Sequence, residues 1–374
     1  METLVTPALL LDRNVLDRNI SRMRSRAGGL GVALRPHLKT AKSIDVARRI
    51  SRPQPPKVTV STLAEAEYFA GFGVTDILYG VSMVPSKAHR VFGLYRRGAP
   101  VKLILDDAAV AAELNRLASQ ASITLDVLIE LDVDGHRAGI ECKDGRVEEL
   151  GKRIERASHL NLLGVMTHAG ESYHCDGRQA LEAHAETERL GAVTAAARLR
   201  RAGVPCEMVS VGSTPTALAA RDLSGVTELR AGVFVFFDLF QVGLGVCGHG
   251  DLACSVLATV ISHNRGRGRM LCDAGGIALS KDRSTAQQRL DCGFGLVADA
   301  SSGTLLEGLI VERVDQEHGI IPVRSNADFA AHPVGSRVRI YPNHICMTAA
   351  AFDSYHVLSG GRLTNERWLR CSGW

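Results

Sequence analysis

The stretch Arg35-Pro36-His37-Leu38-Lys39-Thr40 follows a short apolar run, residues 30–34, and precedes a helix-like segment over residues 41–50. Strand, turn and helix in that order place a lysine at the carboxyl end of a strand. There its amine points into the mouth of whatever sheet the strand joins. A lysine amine that is desolvated, or that faces another cation, has a lowered pKa and can form a Schiff base with a carbonyl. A solvated lysine beside a proline turn is the plain alternative, and the rest of the chain decides between the two.

The same rhythm repeats outward from this stretch. Short β-branched runs at residues 32–37, 57–61, 76–82, 101–106, 124–132, 162–168, 207–212 and 227–235 read as eight strands. Amphipathic segments at 41–50, 63–69, 87–97, 108–118, 147–157, 181–201 and 216–222 alternate with them. Strands alternating with helices imply βαβ units and a parallel sheet. Eight units fit a closed (β/α)8 barrel. A doubly wound open sheet is disfavoured, because no GxGxxG follows an early strand. Past residue 240 turns separate the strand-like runs, at 254–262, 270–273, 303–312 and 335–341. That pattern reads as a mostly antiparallel β domain. The expected division is a barrel over residues 14–242 and a β domain over 243–374 plus 1–13. The N-terminal strand, residues 6–11, has no barrel partner and is expected to join the β domain.

Composition narrows the class. The 374 residues are 45% hydrophobic and 22% charged, with a net charge of +4, normal for a soluble globular protein. The Arg-rich patches at 22–26 and 265–269 are short and lack interleaved aromatics, so no nucleic-acid partner is expected. No apolar run is long enough to span a bilayer, and the start shows no signal-peptide pattern. Nine cysteines without a CxxC pair fit a reducing cytoplasm.

A barrel of this kind carries its chemistry at the carboxyl ends of its strands. The first strand ends in His37 and Lys39, the fifth leads to Arg137, and the sixth ends in His168, followed by Tyr173. The seventh ends in Gly212-Ser213-Thr214, and the eighth holds Arg230, Gly232 and Val233. A Gly-Ser-Thr turn before a helix offers backbone N–H groups and hydroxyls to an anion. It is equally an ordinary N-cap with proline at the first turn. Together these residues suit a carbonyl cofactor that bears a phosphate.

Several longer phrases are more specific: residues 35–40, Asp134-Gly-His-Arg137, Thr167-His-Ala-Gly170, Val209–Thr216, Glu228–Val233 and Pro342-Asn-His344-Ile-Cys346. By these the chain resembles the alanine-racemase-like, fold type III pyridoxal-phosphate enzymes over essentially its whole length. Within them it is similar to the branch of D-hydroxy amino acid dehydratases and D-threonine aldolases. The resemblance implies that Lys39 carries pyridoxal 5'-phosphate and that His168 packs on its ring. It puts Arg137 near the phenolic oxygen and Arg230 near the pyridine nitrogen. Ser213, Thr214, Gly232 and Val233 would hold the phosphate, and Tyr173 would orient the cofactor or substrate. Gln316 and His318 are either proton carriers or members of a polar loop.

His344 and Cys346 form the second constellation. If they lie on a strand, residues two apart share a face, and one imidazole and one thiolate grip one ion. Nitrogen with soft sulfur favours Zn²⁺, with Mn²⁺, Co²⁺ or Mg²⁺ as other occupants. Without the resemblance, a buried thiol beside a surface histidine would be the simpler reading. The implied reaction starts from a small D-3-hydroxy amino acid. Lys39 removes the α-proton and the metal assists departure of the β-hydroxyl, giving a 2-oxo acid and ammonia. Retro-aldol cleavage to glycine and an aldehyde is the alternative. A racemase, or a protein that only binds the cofactor, is further off. The former needs a second base, for which Tyr341 and Tyr355 are available, and the latter lacks a C-terminal β domain. The resemblance also implies a homodimer.

Overall fold

The structure, a computed structural model, describes Met1 and residues 3–374. The chain divides into two compact units. One comprises Arg22–Gly232 with Cys371–Trp374, the other Met1–Ser21 with Val233–Arg370. Among the described residues no helix is long and apolar enough to cross a membrane.

In chain order the elements are β1 (Ala8–Asp12), α1 (Arg13–Gly29), β2 (Ala33–Pro36), α2 (Ile44–Ser51), β3 (Lys57–Val60), α3 (Leu63–Gly71), β4 (Asp76–Ser82), α4 (Ala88–Arg96), β5 (Val101–Leu105) and α5 (Ala108–Ala121). Then come β6 (Leu125–Asp132), β7 (Ile140–Glu141), α6 (Arg146–Glu155), β8 (Leu160–Thr167), α7 (Arg178–Arg201), β9 (Met208–Val211), α8 (Thr214–Ala219) and β10 (Glu228–Ala231). The first unit is a parallel barrel in the order β2-β10-β9-β8-β6-β5-β4-β3, with β7 appended to β6. A bridge between His37 and Thr59, one residue beyond Pro36, joins β2 to β3. All eight expected strands are present. Capping side chains start the helices where the strands end. Thr62 accepts from Glu65 N–H at 3.0 Å, and Asp107 accepts from Ala109 N–H at 2.7 Å.

Two boundaries differ from the sequence expectation. Helix α2 starts at Ile44 rather than residue 41, because residues 38–42 form a turn that ends with Lys42 at φ +49°. The eighth strand stops at Ala231, and Val233–Val235 make a 3₁₀ turn.

The barrel strands carry a chain of hydrogen-bonded charges. Lys102 on β5 donates to Asp76 Oδ1 on β4 at 2.7 Å. Arg35 on β2 donates to the same oxygen at 2.8 Å and, through Nε, to Glu228 Oε2 on β10 at 2.7 Å. Ser210 on β9 donates to Glu228 Oε1 at 2.7 Å and accepts from Arg230 Nη1 at 2.7 Å. Arg230 also donates to the Thr167 carbonyl that ends β8. Six of the eight strands are thereby tied. Burial alone would push Asp76 up, but Arg35 and Lys102 hold its carboxyl down, at about 2.

The second unit continues with α9 (Leu239–Gly243), β11 (Cys254–Asn264), β12 (Arg269–Cys272), α10 (Gly276–Leu279), β13 (Leu296–Asp299), β14 (Leu305–Ile310), β15 (Arg313–Val314) and β16 (Gly319–Pro322). It ends with α11 (Asn326–Ala331), β17 (Arg337–Tyr341), α12 (Ile345–Ala349), β18 (Ser354–Ser359) and β19 (Arg362–Leu369). Its main sheet runs β14-β13-β17-β11-β1-β18-β19. Pairing is antiparallel except between β1 and β18. The N-terminal strand thus joins this sheet, as expected. Leu9, Leu10 and Leu11 are all buried, the continuous apolar run of a strand covered on both faces. Short helices, not only turns, interrupt the unit, and one of them carries the His-x-Cys pair.

Replacing Glu228 by alanine leaves two buried arginines without their shared carboxylate. We expect a loss of about 3–5 kcal/mol, read as a lowered urea midpoint. An unchanged midpoint would show the chain of charges to be dispensable.

Candidate active site

In the barrel unit most of the expected residues converge. Lys39 sits half-buried in the turn after β2, and its N–H donates to His37 Nδ1 at 3.4 Å. Arg137 lies in the exposed stretch between β6 and β7. His168 follows β8, and its Nδ1–H donates to the Gly212 carbonyl at 3.2 Å. Tyr173 stands in a 3₁₀ turn with its ring centroid 6.3 Å from that of His168. Burial, with the charges of Lys39 and Arg137, depresses His168 to about 3. Burial, Lys39 and Arg230 also hold His37 well below the usual histidine range. Two neutral imidazoles therefore stand among three cations. Burial lowers Arg230 too, to about 10.

The turn after β9 is built as a cap. Ser213 Oγ accepts from Thr216 N–H at 3.2 Å, and Thr216 Oγ1 accepts from Ser213 N–H at 3.0 Å, a reciprocal capping box. Both Ser213 and Thr214 are buried. Gly212 has φ +127°, and a Cβ there would stand 2.2 Å from the Arg230 carbonyl. Gly232 passes equally close to the lysine turn: its Cβ would stand 2.9 Å from the His37 carbonyl. The next residue, Val233, is buried and opens the 3₁₀ turn of the other unit.

In the β unit His344 and Cys346 are not on a strand, which corrects the expectation. His344 is the N-cap residue of α12 and Cys346 lies in its first turn. Proline and asparagine before His344 end β17, and the chain turns into a helix. The two side chains still meet, within hydrogen-bond reach. His344 Nδ1–H donates to Asp282 Oδ2 at 2.8 Å, which leaves Nε2 for another partner. Burial would lower His344, but Asp282 and Cys346 raise it to about 11, while His344 holds Asp282 at about 2. Asp238, the N-cap of α9, accepts from Ile345 N–H at 3.1 Å and Gln241 N–H at 3.0 Å. Thr285 donates to buried Asn343 at 2.7 Å. The segment is thus pinned from two loops. One imidazole nitrogen and one thiol on the first turn of a helix fit a borderline-soft divalent cation.

Asp282 and Glu188 were not foreseen, and Asp238 was noted only as the end of the phrase Val235-Phe-Phe-Asp238. Glu188 had a signal, since it stands on the apolar stripe Leu181, Ala185, Ala192, Ala195 and Leu199 of α7. Asp282 had none beyond being a loop residue. Gln316 and His318 fall in the exposed turn between β15 and β16.

A family model described as the alanine racemase N-terminal domain matches residues 11–239, and a putative serine dehydratase domain matches residues 253–358. The chain belongs to the alanine-racemase-like pyridoxal-phosphate enzymes. It is 46% identical over 376 residues to the D-threo-3-hydroxyaspartate dehydratase of Delftia sp. (strain HT23), covering 100% of this chain and 98% of that one. The solved structure of that protein superposes with a TM-score of 0.96 at 45% identity, covering 100% and 99% of the two chains. D-serine dehydratase of Dictyostelium discoideum is 30% identical, covering 96% and 94%. D-threonine aldolase from Filomicrobium marinum superposes with a TM-score of 0.84 at 27% identity, covering 99% and 96%. These members of the family are lyases, and the fold family implies pyridoxal phosphate.

The depressed His168 has a consequence for stability. Unfolded, it takes a proton near 6.5; folded, near 3. The unfolded state binds more protons between those values, so this contribution is complete above about pH 6.5 and lost as pH falls toward 3. His168→Gln should flatten the fall in urea midpoint of the cofactor-free protein from pH 6.5 to 4. Parallel curves for wild type and variant would contradict the neutral assignment.

Proposed function

We propose that this chain is a pyridoxal-phosphate- and metal-dependent dehydratase. Its substrate is a D-3-hydroxy amino acid, with D-threo-3-hydroxyaspartate and D-serine the candidates, and its products are a 2-oxo acid and ammonia. One observation carries the reading: the likeness to the Delftia enzyme runs over the whole chain, and the spacing of the His-x-Cys pair supports extending it to the metal. That enzyme has been solved as a histidine-to-alanine variant and, in a metal-free form, as a cysteine-to-alanine variant. The two replaced positions there are two apart, the spacing of His344 and Cys346.

The roles follow from the residues. Lys39 would hold the cofactor, and its amine, freed when the substrate's amine takes its place, would accept the α-proton. His168, neutral and tied to Gly212, packs on the ring with Tyr173 beside it. Arg137 serves the phenolic oxygen and Arg230 the pyridine nitrogen. An arginine kept charged there holds that nitrogen unprotonated and weakens the ring as an electron sink. Thr214, Gly232 and Val233 offer amides to the phosphate, with Ser213 as the cap that shapes their turn. The cofactor, when bound, stabilises the electron pair left at Cα. A divalent cation, zinc by the donor set, supplies Lewis acidity for departure of the β-hydroxyl. His344 and Cys346 would be the residues that hold it.

The racemase reading loses ground. Tyr355 is fully buried with its phenol accepting from Arg370 Nε at 2.8 Å, and Tyr341 donates to the Gly303 carbonyl at 3.2 Å. A cytoplasmic homodimer completes the proposal. The cysteines form no disulfide among the described residues.

The test is product identity. Loaded with pyridoxal phosphate and Zn²⁺, the protein should release ammonia with oxaloacetate or pyruvate. Lys39→Ala and Cys346→Ala should each lose that activity by at least about a hundredfold. Glycine with an aldehyde would make the chain an aldolase instead. Separately, Asp282→Asn should weaken zinc binding by about 10–100-fold in a chelator competition. Equal affinity would show that Asp282 does not orient His344.

A further inference from the structure

We propose that Glu188 is a positioning residue that locks together the two loops on which the cofactor's ring and phosphate are held. It accepts from Gly212 N–H at 2.8 Å and Ala169 N–H at 3.2 Å through Oε1, and from the Thr216 hydroxyl at 2.8 Å through Oε2. Ala169 directly follows His168. Gly212 and Thr216 bracket the Ser213-Thr214 turn. All three bonds go to the segments that leave β8 and β9.

The chemistry requires a carboxylate. Two of the donors are backbone N–H groups, which must find acceptors when buried. The third, the Thr216 hydroxyl, stands nearer to the carboxylate, at 2.8 Å, than to the Ser213 hydroxyl at 3.0 Å or the Ser213 carbonyl at 3.5 Å. Three donors converge on one buried point, and only an ionised carboxylate is acceptor-only with room for all of them. Among the described residues no cation forms an ion pair with Glu188; burial pushes its carboxyl up, and the hydrogen bonds from Gly212, Thr216 and Ala169, with the nearby charge of Arg230, oppose that rise. Packing of α7 against the barrel explains none of this. The same face is otherwise alanine and leucine, and an apolar residue at 188 would avoid the cost of a buried charge. The carboxylate is therefore retained for what it holds.

Two further contacts run between the same loops. The Ser172 and Ser213 hydroxyls are 2.9 Å apart in a shared hydrogen bond, and His168 Nδ1–H meets the Gly212 carbonyl. Glu188 anchors this set from behind, on a 24-residue helix. Displacing Gly212 therefore moves both the imidazole and the phosphate turn.

The proposal rests on the reading of this rim as the cofactor site, and the experiment separates the two. Pyridoxal phosphate is titrated into wild type, Glu188→Gln and Thr216→Val, followed by the absorbance of bound cofactor. The melting temperatures of the cofactor-free and loaded forms are recorded alongside. A glutamine keeps the size but turns an NH₂ toward donors. We expect its dissociation constant to rise by at least about tenfold, with an altered absorbance envelope as His168 shifts. Thr216→Val, which removes one donor and keeps the carboxylate, should give a smaller rise and remains informative if Glu188→Gln does not fold. Equal loss of melting temperature in free and loaded forms, with unchanged affinity, would make Glu188 a packing residue and overturn the proposal. No saturable binding by wild type would instead overturn the reading of the rim on which it rests.

Discussion

Two arginines stand in direct register on neighbouring barrel strands, Arg35 on β2 and Arg230 on β10, and both are buried. Like charges so placed repel, and each loses hydration. The arrangement survives because Glu228 lies two residues before Arg230 and bonds Arg35 directly, reaching Arg230 through Ser210. That carboxylate is the condition for the rest of the rim. Only with Arg35 satisfied below can Arg230 reach the end of β8 as a fixed cation. A fixed arginine, rather than an acid, is what sets the electronic character of a ring placed against it.

The same logic recurs at the loops. Several polar groups of the candidate site are held by an acid that accepts their hydrogen bonds. Glu228 serves Arg230, Glu188 serves the turn after β9, and Asp282 serves His344. Asp238 holds the amide that follows His344. An acid that only accepts hydrogen bonds is a good fixture, since it tolerates several donors without competing for them. Burial raises the cost of leaving any one donor unpaired, and that cost keeps the geometry narrow.

How much of this was legible in the sequence follows from range. The barrel was readable because each βα unit is local: a β-branched run, a capping residue such as Asp107 or Ser213, then an amphipathic helix. Lys39 was readable because it ends the first such run. The turn at Lys42 was not, since a left-handed lysine leaves no compositional mark. His344 and Cys346 were found by their phrase but put on the wrong element. A two-residue spacing serves both a strand face and a helical first turn, and Pro342 ends β17 just before it. The buried acids were mostly invisible. A glutamate among helix residues reads as solvated unless, as at 188, it interrupts an apolar stripe. The convergence of Gly212, Ala169 and Thr216 upon Glu188 spans up to 47 positions and belongs to the folded chain alone.

The histidines record what each unit is built to receive. On the barrel rim His37 and His168 are pushed down by burial and by Lys39, Arg137 and Arg230. A rim that keeps imidazoles neutral among cations has positive charge left over, an electrostatic setting that favours an anion. In the β unit the sign is reversed. His344 is drawn up by Asp282, Cys346 and Asp238, so its surroundings favour positive charge. The two compact units thus carry opposite electrostatic preferences: the barrel rim keeps its histidines neutral, and the β unit keeps His344 charged.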